Sequence, residues 1–193
     1  MPRLNLRQSK RYLLLSLLIP FLASACPALA ETYVQFAGRM MSAGQFQADI
    51  EKALFFKVNA YRSAQGRQQL APDATLQFAA RAHAKDMAMH GFMGHVASTG
   101  QDFESRMRAF KGGGMIVLPS MGENAADVNP SVADAAEGLF QAWLHSEEHR
   151  RNMVSRDYIR SGIGVTVAAN GKTYADQIFS GGLVKSNIFS SGQ

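Results

Sequence analysis

The single cysteine of this 193-residue chain, Cys26, sits inside a segment with the pattern of an export signal, and that placement constrains the fold more than any other feature. Arg3, Arg7, Lys10 and Arg11 form a basic start without an acidic residue. Leu13–Leu22 is an apolar run, and Ala28-Leu29-Ala30 is a small-x-small cleavage signal before Glu31. The run is too short for a comfortable membrane span, so residues 1–30 read as a secretory signal peptide. Leu22-Ala23-Ser24-Ala25-Cys26 weakly echoes a lipoprotein box, with the leucine one place too far from the cysteine. Cleavage after Ala30 is the expectation, and lipid anchoring at Cys26 the minor alternative. The exported remainder then has no cysteine, so a hydrophobic core must hold it together without disulfides. Its 163 residues suffice for one domain with such a core.

Charge removes one class of function. Four of the 20 lysines and arginines lie in the signal, leaving 16 against 15 acidic residues. A nearly neutral mature chain has no electrostatic footprint for nucleic acid, and no later apolar run is long enough to be a transmembrane helix.

Periodicity supplies the elements. Residues 31–45, with Gly38 and Gly44, show no sustained period and read as a leader ahead of a domain over 46–180. Within it Ile50, Leu54, Val58 and Tyr61 recur at helical spacing, predicting a helix from Phe46 to about Ser63 that Gln65-Gly66 ends. Asp73 is placed to cap the next helix, in which Leu76, Ala80, His83, Met87 and His90 share a face and Gly91 stops the run. Phe103–Phe110 reads as a short helix, followed by the flexible Gly112-Gly113-Gly114. Asn129-Pro130 is expected to open a third long helix with the stripe Val132, Ala136, Leu139 and Trp143. Ile163, Val165 and Val167 alternate with smaller residues, Asn170-Gly171 is a hairpin signal, and Thr173–Phe179 is the returning strand. Residues 181–193, rich in Gly and Ser, read as a flexible tail. Helices first and a hairpin last predict an α+β domain with helices packed on a small antiparallel sheet. The ten methionines are read as core.

The chemistry concentrates in Trp143–Met153, which holds two histidines, two glutamates, two arginines and the only tryptophan. His145-Ser146-Glu147-Glu148-His149 fits the inverted zincin pattern, but no glutamate follows Glu148 to complete such a site. A second set is His95, Glu123 and His149. Two imidazoles and a carboxylate can make an open zinc site with water in the remaining position, able to polarise a carbonyl or activate the water. Each also has a plainer reading: a solvated loop histidine, a backbone tether and a helix-end histidine. Adjacent Arg150 and Arg151 are able to grip a carboxylate, with surface solvation the default. His83 and His90 fit core or rim positions. The mature chain offers no cysteine nucleophile, no G-x-S-x-G and no phosphate loop.

In order along the chain stand Val58-Asn59-Ala60-Tyr61-Arg62, Ala82-His83-Ala84-x-x-Met87-Ala88, Phe92-x-x-His95 and Gly122-Glu123-Asn124-Ala125. They are followed by Trp143-x-x-Ser146-x-x-His149-Arg150-x-Asn152-Met153, Gly162-Ile163-Gly164-Val165 and Tyr174-x-x-Gln177-x-Phe179. With these seven motifs the chain from about Ala53 to Phe179 resembles the CAP superfamily of cysteine-rich secretory proteins, antigen 5 and pathogenesis-related proteins, and most of all its short, cysteine-poor bacterial branch. The resemblance implies a three-layer α-β-α sandwich with a cleft lined by two histidines and acidic residues. His95 and His149 match the cleft histidines and Glu123 the first glutamate. Glu147 or Glu148 falls near the place of the second, across a much shorter segment than in the longer members. Some relatives bind zinc in this cleft and others bind sterols or lipids elsewhere, and no single activity unites them. The expectation is therefore an exported protein, periplasmic or extracellular, that binds a divalent metal such as Zn2+ or a small ligand in the cell envelope. The alternative is a zinc-dependent hydrolase with Glu123, or less readily Glu147 or Glu148, as general base. A lipid- or sterol-binding module is the third reading.

Overall fold

The computed structural model describes residues 31–110 and 120–182. Residues 1–30, read above as a signal peptide, the Gly112–Gly114 stretch and nearly all of the 181–193 segment lie outside the described residues. The elements are α1 (Tyr33–Ala43), α2 (Ala48–Ala64), β1 (Ala71–Pro72), α3 (Ala74–His90), α4 (Phe103–Phe110), β2 (Met121–Val128), α5 (Ala135–His145), α6 (Glu147–Val154), β3 (Arg160–Val167) and β4 (Thr173–Ser180).

The sheet runs in the order β1-β3-β4-β2. Its three long strands are antiparallel, as expected, and the two-residue β1 adds a parallel edge on β3. Every residue of β4 is buried, because helices cover both faces. On one face Leu54 and Val58 of α2, Leu139 and Trp143 of α5 and Met153 of α6 pack with Ile163, Val165 and Phe179. On the other, Tyr33, Phe36 and Met40 of α1, Leu76 and Ala80 of α3, and Met107 and Phe110 of α4 pack with Ile178. This is a three-layer α-β-α sandwich. Full burial of each such large apolar side chain is worth about 1.5–3 kcal/mol, so the core stands without a disulfide.

The alternation in Gly162-Ile163-Gly164-Val165 separates the layers. Ile163 and Val165 face α2 and α5, whereas the glycines face α3. An added Cβ at Gly162 would meet Gln77 N at 2.0 Å, and one at Gly164 would meet Arg81 N at 2.2 Å. The α3 backbone therefore lies directly on β3. The Asp73 carboxylate starts α3 as predicted, accepting from Thr75 N and Leu76 N, and Gly91 ends it in the left-handed region at φ 68°.

Three sequence expectations give way. The stretch 31–45 contains helix α1, with a capping box between Thr32 and Gln35. Tyr33, Phe36, Ala37 and Met40 supply the helical period, which Gly38 obscures. The third long helix begins at Ala135 and not at Asn129-Pro130. Strand β2 runs to Val128, Val132 N donates to Asn129 O (3.1 Å) in a turn, and Asp134 caps α5 by accepting from Glu137 N (3.0 Å). Val132 consequently leaves the stripe and is 37% exposed. Nor are all methionines core: Met89 and Met93 are 51% and 54% exposed.

Arg62 locks α6 in place. Its buried guanidinium donates to the carbonyls of Gln68, Met153, Ser155 and Tyr158 at 2.7–3.1 Å, gathering the carbonyl-rich end of α6 onto the end of α2.

Candidate functional site

Edge strand β2 carries Gly122-Glu123-Asn124, and pleating sends Glu123 and Asn124 to opposite faces. On the α3/α4 face, Glu123 is nearly fully buried. Arg106 Nη2 donates to both of its oxygens (2.7 and 2.8 Å), and His95 Nδ1 donates to Oε2 (2.9 Å). Since a carboxylate only accepts, Nδ1 carries the proton and Nε2 is the atom His95 offers outward. The imidazole is half exposed. Arg106 Nη2 also donates to the backbone carbonyl of His95 (3.1 Å), so one guanidinium fixes the histidine and its carboxylate together.

On the other face, Asn124 Nδ2 donates to His149 O (3.2 Å). Asn152 Nδ2 donates to Asn124 Oδ1 (2.9 Å) and Glu123 O (3.2 Å). These amides join the start of α6 to the edge strand. Gly122 makes room nearby, since a Cβ there would meet the Tyr158 hydroxyl at 2.5 Å. His149 comes close enough to His95 for their charges to interact, and its own Nδ1 is buried without a protein hydrogen-bond partner.

The two imidazoles are tuned in opposite directions. The hydrogen bond to Glu123 raises the His95 pKa against the effect of burial. Burial and then the His95 charge lower that of His149. For Glu123, burial pushes upward, but Arg106 and His95 outweigh it and hold the carboxyl below its ordinary range. Asp176, fully buried on β4, is pushed well up by burial and by the Glu123 charge.

Of the two further glutamates, Glu148 is the one whose charge reaches both histidines. Glu147 is exposed, 4.0 Å from Arg151. His145 turns back to Gln141 O (2.7 Å). Ser146 ends α5 and caps α6, its hydroxyl accepting from His149 N (3.3 Å). The break puts His145 and His149 on different helices, so the inverted zincin pattern has no one-turn geometry to act through.

Among the described residues no three His, Cys, Asp or Glu side chains are grouped to hold one metal ion. The reason at His95, Glu123 and His149 is that Arg106 and His95 occupy the carboxylate. Glu123 stands behind His95 as its hydrogen-bonding partner, an arrangement also found around metal-binding histidines, and leaves Nε2 as the nitrogen that ring offers.

Arg106 is the site residue that sequence reasoning missed. Its signal was its register: it shares the face of Phe103, Met107 and Phe110, where an arginine must be buried and paired. Asn124 and Asn152 stood inside motifs without an assigned role, and Asp176 stood in the predicted Thr173–Phe179 strand, likewise without one.

Comparison with known proteins agrees with this geometry. The model of the cysteine-rich secretory protein family (CAP) matches residues 55–181. The chain is 32% identical over 143 residues to the uncharacterized protein YkwD of Bacillus subtilis, covering 74% of this chain and 51% of that protein. It is 28% identical over 121 residues to the uncharacterized membrane protein YlbC of the same organism, covering 63% of this chain and 33% of that one. The chain thus spans only a half and a third of these relatives. Among solved structures, an outer surface protein of Borrelia burgdorferi superposes with a TM-score of 0.60 at 16% identity, covering 71% of this chain and 97% of that one. An extracellular SCP-domain protein of Bacillus anthracis gives 0.55 at 24% identity, covering 74% and 43%. Those two likenesses establish the fold. The family match spans His95, Glu123 and His149 and shows the family: the chain belongs to the cysteine-rich secretory protein (CAP) family.

Proposed function

We propose that this CAP-domain protein acts outside the cytoplasmic membrane and binds a small polar ligand between His95 and His149. The observation that carries the reading is the His95–Glu123 pair, which leaves Nε2 as the accessible atom of one imidazole, with its charge felt at a second, less basic imidazole, His149. A raised His95 favours a protonated donor, and a lowered His149 favours a neutral acceptor. The pair suits a ligand with an acceptor and a donor close together, as in a carboxamide or a hydroxy acid. Action outside the membrane is supported by the basic and apolar pattern of residues 1–30. It also accords with the extracellular and outer-surface descriptions of the two solved neighbours.

The test is calorimetric titration of residues 31–193 with Zn2+ and, separately, with a panel of small hydroxy acids and amides, beside a His95→Ala/His149→Ala double variant. Organic-ligand binding lost in the variant supports the reading. Stoichiometric zinc binding lost in the variant makes the pair a metal site instead. Binding of either kind that persists in the variant refutes a role for the two histidines. Fractionation of cells expressing the full chain tests export.

A second reading is favoured by the opposed tuning of the imidazoles, the usual mark of an acid and a base working together. As a hydrolase, the protein would use His95 as general acid and His149 as general base, with Glu123 orienting His95. Turnover that survives the double variant would refute it.

A further inference from the structure

We propose that His83 and Asp86 are positioning residues for His95, holding the 94–98 loop at points on either side of it. This rests on the reading of His95 as the working residue of the cleft.

The loop has little else to hold it. Residues 94–98 adopt no regular structure, and ordering each one costs about 1–2 kcal/mol of backbone entropy. Apolar burial offsets little of this: Val96 is 52% exposed, and Ala97 alone in the stretch reaches the core. Polar anchors from α3 and α4 take the place of packing. His83 Nε2 donates to Gly94 O (2.8 Å), one residue before His95, and Arg106 grips the His95 carbonyl itself. Asp86 accepts from Ser98 N (2.8 Å) and Ser98 Oγ (2.5 Å), three residues beyond. His83 and Asp86 are completely buried and stand three residues apart on α3, one above the other.

The chemistry of Asp86 argues against a passive role. A buried carboxylate is costly unless paired and hydrogen-bonded. The partners of Asp86 are Ser98 and, at 2.8 Å, the half-exposed His90; among the described residues no arginine or lysine forms an ion pair with it. Both of its carboxylate oxygens are thereby hydrogen-bonded to Ser98 of the loop. The spacing between the anchors then determines where the His95 imidazole meets Glu123.

The readout is the His95 Nδ1 proton, followed by NMR in residues 31–193. Shared with a buried carboxylate, it should resonate downfield and exchange slowly with water in the native protein, and Glu123→Gln should move it. Asp86→Asn is expected to speed its exchange about tenfold, one buried hydrogen bond expressed as an opening equilibrium. Ser98→Ala, at an exposed position that leaves the core untouched, should give about threefold for the weaker loss of a single hydroxyl. His83→Phe keeps a ring of similar shape and should act in the same direction. The His145 ring, remote in role and exposed, serves as the reference that stays unchanged. A lowered urea midpoint with unchanged His95 exchange in Asp86→Asn and Ser98→Ala would overturn the positioning role alone. Absence of the resonance in the native protein, with no response to Glu123→Gln, would overturn the His95–Glu123 reading and this inference with it.

Discussion

Replacing Gly164 with alanine adds one methyl group to a strand, a change that β-propensity alone would favour. Here it should be severely destabilising. The new Cβ would lie 2.2 Å from Arg81 N, 2.3 Å from Arg81 Cα and 2.4 Å from Ala80 C. All three belong to the α3 backbone, so no rotamer change can relieve the contact, and the helix must lift by roughly 1 Å to restore ordinary separation. That movement opens the packing of α3 along β3 and β4, so the cost belongs at or above the top of the usual ~1–3 kcal/mol for overpacking. Gly38 provides the internal control. It lies inside α1 with no atom within 4 Å of an added Cβ and without a positive φ, so Gly38→Ala should stabilise by about 0.5–1 kcal/mol through helix propensity. Urea unfolding of residues 31–193 separates the two cases: Gly164→Ala should lower the midpoint by about 1–2 M and Gly38→Ala should raise it by a few tenths. Midpoints within about 0.2 M of one another would refute the claim that α3 rests backbone-on-backbone against the sheet.

Arg106→Leu strands the buried Glu123 and should cost about 3–5 kcal/mol, whereas adding Glu123→Gln should restore part of it; strictly additive urea midpoints would show that the two are not a pair. His95, raised from 6.5, should contribute stability in full below about pH 6.5 and lose it as pH climbs through its folded value. His149, lowered from 6.5, should contribute above that pH and lose the contribution as pH falls. NMR titration should accordingly place the His95 ring above His149, and Glu123→Gln should bring His95 down; a reversed order would contradict the site electrostatics. Arg62→Met keeps the aliphatic bulk but frees four carbonyls, and should cost more than about 3 kcal/mol by thermal or urea unfolding.

What the sequence made legible is what short-range physics controls. Asp73 as a cap, Gly91 as a stop, Asn170-Gly171 as a turn and the Phe103–Phe110 helix follow from local dihedral and hydrogen-bond preferences, and each is where it was expected. Asn129-Pro130 misled because the same dipeptide suits a turn and a helix start. The choice was made by the pairing of β2 with β4 through Val128 and Thr173, which local preference does not contain. The site divides likewise. His95, Glu123 and His149 were legible as chemistry and through their resemblance to family motifs, but the role of Glu123 was not. Whether that carboxylate faces a ligand or a guanidinium depends on Arg106, seventeen residues earlier on another element.

The two histidines are carried to β2 from opposite sides, His95 by the α3–α4 loop and His149 by α6. β2 is an outermost strand with β4 as its one strand neighbour, and among the described residues only side chains such as Asn152 and Tyr158 reach its backbone from elsewhere, so its outer edge lacks the support that interior strands enjoy. A molecule that engaged both rings would act as a clasp over this border, opposing any fraying that drew the flanking helices apart. Its arrival should therefore be visible as slowed deuterium uptake in residues 121–128, on strand and flanks together. Removing either ring should abolish the protection, while a molecule touching one ring would leave uptake there nearly unchanged. The border of the sheet is thus a built-in reporter for finding what this protein holds.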